Sequence, residues 1–437
     1  MKTPLLMRTF VVALVACALL IPIALIQGKI HERRSLAEGV ERTFAAENAG
    51  PQTIAGPLLA LTCEETVVVE RQVMRAGKAE TLAEPKKIEC PTGYFTPRVL
   101  RVKGKVPVES LHRGIYPIRL YRAELDVSAE FEWPKPAEPN GANPRQWKQA
   151  RMVTSVSDPR GIKESTLPID QDLGPYGKSE PGSVMAFESK LVLAGTSSLA
   201  IAPVGDATDI QLESNWPHPS FSGAWTPDSR YITREGFKGS WSTSHLATGG
   251  RALWEREARA GKLAESRQVA GVVFFDPVNI YALSYRATEY GFLFVLFTFS
   301  AIALVEVTAG VRLHPIQYLL VGLALAVFFL LLIALSEHIS FDRAYLAAAT
   351  ACLVLIVFYL RHPLGTRWRA AALGAVSAGL YGALFVLLKS EDHALLMGSL
   401  MVFGALSAVM LATRKLDWAQ VAARMAPPPP APKPAPG

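Results

Sequence analysis

Two short segments of this 437-residue chain concentrate the side chains that bind metals or move protons. They are Ser336-Glu337-His338-Ile339-Ser340-Phe341-Asp342-Arg343 and Lys389-Ser390-Glu391-Asp392-His393. Carboxylates with imidazole can hold a divalent cation or relay protons, and histidine titrates near neutral pH. The same residue types also cap helices and hydrogen-bond a neighbouring domain, and that plainer reading carries more weight here. Glu306 stands apart, within an apolar run, either as an interfacial residue or as a buried acid. Gly174-Pro175-Tyr176-Gly177-Lys178-Ser179 imitates a phosphate loop, but two residues separate its glycines where four are needed. Asp172 stands where the first glycine belongs. No His-Glu-x-x-His, Cys-x-x-Cys or Gly-x-Ser-x-Gly occurs. The sequence specifies no nucleophile, no metal site and no nucleotide, so no catalytic residue and no cofactor is expected.

The elements that must position these residues are membrane spans. Half the residues are apolar and 19% are charged, below the ~25% of an ordinary soluble chain. That composition excludes a wholly cytosolic, disordered or collagenous protein. Six apolar runs approach the length needed to cross ~30 Å of hydrocarbon as helices: 10–26, 290–311, 316–335, 344–360, 370–388 and 394–412. The first follows Lys2 and Arg8 and reads as an uncleaved signal anchor, because no Ala-x-Ala site follows it. Leu14-Val15-Ala16-Cys17 spells a lipobox, but the apolar run continues well past Cys17.

Charge sets the orientation. Residues 29–289 hold 33 basic and 32 acidic side chains, against 12 and 6 elsewhere. The surplus therefore lies beside the apolar runs, where it fixes topology, and nucleic acid is not expected as a partner. With the N-terminus inside, inner segments hold Lys2, Arg8, Arg312, Arg361, Arg367, Arg369, Arg414, Lys415, Arg424 and Lys433, and outer connections only Arg343 and Lys389. Trp368 and Trp418 fall at the inner interface. The expected organisation is a cytoplasmic N-terminus (1–9), a transmembrane anchor (10–27) and a periplasmic β domain (28–286). A five-helix transmembrane domain (287–415) and a cytoplasmic, disordered proline-rich tail (416–437) follow. Gly374, Ala378 and Gly382 recur every four residues, which predicts a helix face packed inside the bundle.

The outer domain reads as a β-sandwich or a related all-β fold. Over 122–133 the apolar Ala123, Leu125, Val127, Ala129, Phe131 and Trp133 alternate with polar residues, the period of a half-buried strand. Shorter strands are expected at 190–194 and 199–202 around Gly195-Thr196-Ser197-Ser198, at 208–213 and at 268–275. Segments 134–144 and 168–182 read as long surface loops, and 29–47 as a polar helical lead. Cys17 and Cys352 lie in apolar spans. Cys63 and Cys90 are centred on the turn-like Arg75-Ala76-Gly77-Lys78 and could face each other across a hairpin as a disulfide, or remain two buried thiols. A bridge closing such a loop would contribute about 3 kcal/mol in the chain-entropy model.

Several stretches together resemble the bacterial inner-membrane CreD, or cell envelope integrity, family. They include Gly114-Ile115-Tyr116 with Tyr121-Arg122-Ala123-Glu124-Leu125, and Asn215-Trp216-Pro217-His218-Pro219-Ser220-Phe221. Pro277-Val278-Asn279-Ile280-Tyr281, Tyr285-Arg286-Ala287-Thr288-Glu289-Tyr290 and His314-Pro315-Ile316-Gln317-Tyr318 continue the pattern. It ends with Ser336-Glu337-His338-Ile339, Glu391-Asp392-His393-Ala394-Leu395-Leu396 and Thr413-Arg414-Lys415-Leu416-Asp417-Trp418. The resemblance covers about residues 10–418; the proline tail and the Cys63/Cys90 pair lie outside it. It implies a role in envelope integrity under a two-component regulon, with effects on tolerance of a colicin and of β-lactams, and it brings no catalytic residues.

The expected function is thus a non-enzymatic membrane protein whose outer domain binds an envelope component or a partner protein, besides membrane lipid. A transporter or lipid-handling protein and an envelope hydrolase are the alternatives. Segment 275–289 leads from the last strand into the second span with Asp276 and Arg286. The sequence predicts that the outer domain docks on the helix ends through Arg286, with Glu337, Asp342, Glu391 and Asp392 as acidic partners. His338 and His393 would add a pH-dependent charge.

Overall fold

The computed structural model describes residues 4–75, 78–274, 279–311, 313–390 and 394–414. The chain divides into two compact units, Met1–Glu38 with Val278–Gly437, and Gly39–Pro277. The first is helical and the second is built of strands. The lead 28–38 and Arg286 therefore belong with the helices.

In chain order, α1 (Pro4–Ala18) and α2 (Leu20–Glu47) precede fifteen strands among the described residues. These are β1 (Gln52–Arg75), β2 (Lys78–Phe95), β3 (Val99–Lys105), β4 (Val108–Arg113), β5 (Tyr116–Glu132) and β6 (Arg145–Val156). Then come β7 (Ile162–Ser165), β8 (Asp170–Pro175), β9 (Val184–Thr196), β10 (Ser198–Ala202) and β11 (Ala207–Ser214). β12 (Pro219–Gly223), β13 (Ser229–Thr233) and β14 (Gly236–Ser244) are followed by helix α3 (Arg251–Arg259) and β15 (Ala270–Phe274). The chain closes with α4 (Ile280–Glu289), α5 (Gly291–Ala309), α6 (Pro315–Ser336), α7 (Phe341–Arg361), α8 (Arg367–Lys389) and α9 (Ala394–Thr413).

Among the described residues six helical stretches are long and apolar enough to cross a membrane, one at Phe10–Glu47 and five from Gly291 to Thr413. The break between α1 and α2 at Leu19 has a local cause: Pro22 has no N–H to give the Ala18 carbonyl. Leu19 is fully buried there, and a Cβ on Gly322 of α6 would meet its Cδ1 at 2.0 Å. Such an approach exists because Gly322 has no side chain. The bundle core is aromatic. Tyr381 packs its ring 4.7 Å from Phe294 and 4.9 Å from Phe328, and Tyr345 donates to the Tyr381 carbonyl at 2.6 Å.

The small-residue face of α8 differs from the expectation. Gly374 is buried against Val357, but Ala378 and Gly382 are exposed and nothing lies within 4 Å of a Cβ placed on Gly382. The buried stripe is Leu373, Ser377, Tyr381, Leu384 and Leu388. Large side chains at helical spacing bury more area than the glycines, and they decide which face turns inward.

In the second unit two sheets enclose one core. The first runs β12-β15-β10-β1-β6-β8 with β2 on β1, and the second β13-β14-β11-β3-β5-β9-β7 with β4 on β5. The inward residues of β5 are all buried, from Ala123 to Phe131, as the alternation of its sequence requires. Each sheet contains a parallel pair, β1 with β10 and β3 with β11, within otherwise antiparallel pairing. Tyr121 of the second sheet donates to the Ser198 carbonyl of the first at 2.7 Å, and burial pushes its phenol well above the usual range. Asp158 accepts from Arg160 and from the Gly50 N–H. The Arg160 guanidinium, the largest influence, holds its carboxyl down at about 2.

Three sequence expectations change. Residues 168–182 are not one loop, because β8 pairs with β6 there. The strands expected at 190–194 and 199–202 are present, but the turn between them is a crossing between sheets: β9 and β10 lie in different sheets, and Ser197 takes a left-handed φ of 63° there. The approach to the second span is not a plain connector, since α4 forms there with Asn279 accepting from the Tyr281 and Ala282 N–H groups. Cys63 and Cys90 oppose each other in register, bridged, with Cα atoms 5.0 Å apart. Beyond Thr66, β1 and β2 continue as a two-stranded ribbon with exposed Val68, Val69 and Leu82. The turn residues Ala76 and Gly77 and the proline tail lie outside the described residues.

Candidate functional site

Among the described residues, the polar side chains at the ends of the helices fall into two separate groups, one around Glu337 and one around Asp342. Glu337 follows the last turn of α6 with its side chain only 4% exposed, 3.6 Å from Arg33 Nε of α2. Tyr281 of α4 donates to its Oε1 at 3.3 Å. One carboxylate thus joins three helices. Asp342, in the first turn of α7, instead pairs with Lys389 at the end of α8 at 2.7 Å. His338 is exposed beside Glu337, and Arg286 sits half-buried in the last turn of α4. Glu391, Asp392, His393 and Asp276 lie outside the described residues. Among the described residues no three His, Cys, Asp or Glu side chains group as a metal site.

Arg33 is not among the residues that the sequence offers as a site, and Tyr281 enters there only through the family resemblance. Arg33 falls in the polar helical lead at 29–47, and no spacing rule links it to a carboxylate so far along the chain.

Glu306 is buried at the end of α5. Its Oε1 accepts from the Leu313 N–H at 3.0 Å and its Oε2 from the Tyr318 hydroxyl at 2.8 Å. Those bonds tie the α5–α6 connection to α6. They satisfy backbone and hydroxyl donors that would otherwise be buried unpaired.

The second unit carries a broader feature. Strand alternation sends Lys103 and Lys105 of β3, Glu124 and Asp126 of β5, Glu213 of β11 and Lys238 of β14 to the outer face of the second sheet. The register aligns them in two rows. One runs Asp126, Lys103, Gln211, Ser240 and Ser229, and the other Glu124, Lys105, Glu213, Lys238 and Tyr231. Opposite charges on neighbouring strands attract, as in Lys238 with Glu213 at 3.0 Å. The rows floor an open trough of about 630 Å³ that ends at Tyr231, which is 67% exposed. A second hollow of about 670 Å³ shares Lys105, Glu124, Glu213, Tyr231 and Lys238. Such a surface can hold a polar, charged, extended ligand against an aromatic ring.

The comparisons agree with this architecture. The family model described as inner membrane protein CreD matches residues 4–419. The inner membrane protein CreD of Escherichia coli (strain K12) is 32% identical over 421 residues, 92% of this chain and 90% of that protein. Six apolar helices, a β unit inserted after the first of them, and a match over nearly the whole length place this chain in the CreD family of inner membrane proteins.

Proposed function

We propose that this protein supports the integrity of the cell envelope without catalysing a reaction, by binding a polar envelope component through its β unit. In this reading both termini face the cytoplasm and the β unit faces the periplasm. Support for the orientation comes from Arg361, Arg367, Arg369 and Arg414 at one end of the helices, against Arg343 and Lys389 at the other. The observation that carries the binding role is the trough, with its two charged rows and terminal Tyr231. A transport role draws no support from Glu306, whose two oxygens are engaged at a helix connection.

The test is complementation. A strain lacking the protein is challenged with envelope-directed stress and supplied with wild type or with Lys105→Glu/Lys238→Glu, which reverses the basic members of one row. The reading predicts that the variant accumulates normally in the membrane and fails to restore tolerance. Equal rescue by both would overturn it.

A further inference from the structure

At the basic end of the helical unit, the turn between α7 and α8 borders a pocket of about 840 Å³ that no role above uses. Arg361 and Arg367 line it together with His362, Gln317 and Thr366, and among the described residues no acidic side chain does. Among the described residues neither arginine has an ion-pair partner. Thr366, the N-cap of α8, makes no side-chain cap hydrogen bond. The Arg369 and Ala370 N–H groups donate to the Thr366 carbonyl, which leaves the N–H groups of Arg367 and Trp368 without an intrahelical acceptor, and the helix dipole adds positive potential there. A phosphate group is what such donors recognise.

The walls say where the phosphate comes from. Phe358 lines the same pocket and is 75% exposed, and Val354, Leu355, Ile316 and Leu320 continue an exposed apolar surface along α7 and α6. Trp368 beside it is exposed, as expected of an aromatic at the headgroup level. Cations and N–H donors at the helix ends, above an apolar wall on the spans, complement a headgroup followed by acyl chains. A soluble phosphate would make no use of the wall.

We propose that this pocket binds the headgroup of an anionic phospholipid, with Arg361 and Arg367 on its phosphate and the acyl chains along α6 and α7. The assignment does not depend on which side of the membrane this end faces.

The test is native mass spectrometry of the full-length protein released from detergent after equilibration with phosphatidylglycerol or phosphatidylethanolamine of the same chains. Wild type should retain phosphatidylglycerol preferentially. Arg361→Gln/Arg367→Gln should weaken that retention roughly 30-fold, the effect of two surface arginines on an anionic lipid, and weaken that of phosphatidylethanolamine, whose ammonium offsets its phosphate charge, much less. Arg414→Gln, outside the pocket, should change it less than about twofold on the same scale. Equal retention of the two lipids by wild type needs no variant to fold and would overturn the proposal. So would full retention by the double variant, displacement of the lipid by inorganic phosphate, or an altered oligomer distribution with lipid retention intact.

Discussion

Removing the Cys63–Cys90 bridge by Cys63→Ala/Cys90→Ala tests how the β unit holds an edge strand. Among the described residues β2 pairs only with β1, and no other strand there restrains it. The bridged residues are 27 positions apart. In the chain-entropy relation a loop of that length removes about 12 cal/mol/K from the unfolded chain, or about 3.5 kcal/mol at 25 °C. While β1 and β2 stay paired at their base, the bridge adds little to the ribbon tip, whose ends are held together anyway. Its effect falls on detachment of β2 and on global unfolding. Six of the eight tryptophans lie between Trp133 and Trp254, so intrinsic fluorescence during urea unfolding reports mainly on this unit. We expect the variant to lose about 2–4 kcal/mol. Amide exchange should accelerate across β2 and its partner residues in β1 more than in β5 or β9. A loss below about 0.5 kcal/mol, or exchange accelerated evenly over both sheets, would refute the reasoning.

Three further outcomes follow from named contacts. Gly322→Ala should destabilise the helical unit by about 1–3 kcal/mol by displacing Leu19, and adding Leu19→Ala should recover part of that loss in thermal unfolding of the detergent-solubilised protein. Glu337→Gln should cost about 1–3 kcal/mol as a buried charged acceptor is lost, and a double-mutant cycle with Arg33→Gln should show coupling; additive effects would contradict the pair. Asp158 has a folded-state pKa depressed below its ordinary value, so its stabilisation is fully present above about pH 4–5. That contribution is lost as pH falls toward its folded pKa of about 2, so Asp158→Asn should flatten this part of an acid unfolding curve.

The spans were readable because hydrocarbon demands about twenty apolar residues whatever the neighbours are. β5 was readable because one buried face imposes a strict period of two. Other features depend on distant partners. Arg33 and Tyr281 become neighbours of Glu337 only when α2, α4 and α6 pack together, and the charged rows need register across five strands from different parts of the chain. The glycine spacing in α8 misled because bulkier residues at helical spacing fill the interface and leave Ala378 and Gly382 exposed. Helix α3 was missed for its length: nine residues after Gly249-Gly250 give too little periodic signal, although Trp254 within it is fully buried.

The central claim is that the trough contacts an envelope component, and photo-crosslinking in living cells tests it most directly. A photoreactive amino acid is placed at Lys105 or Tyr231 in the trough, and at Arg151 on the exposed face of the first sheet as a control. The account predicts discrete, reproducible adducts from both trough positions and none of the same species from position 151. Trough positions that give no adduct, or only those also captured from position 151, would contradict it.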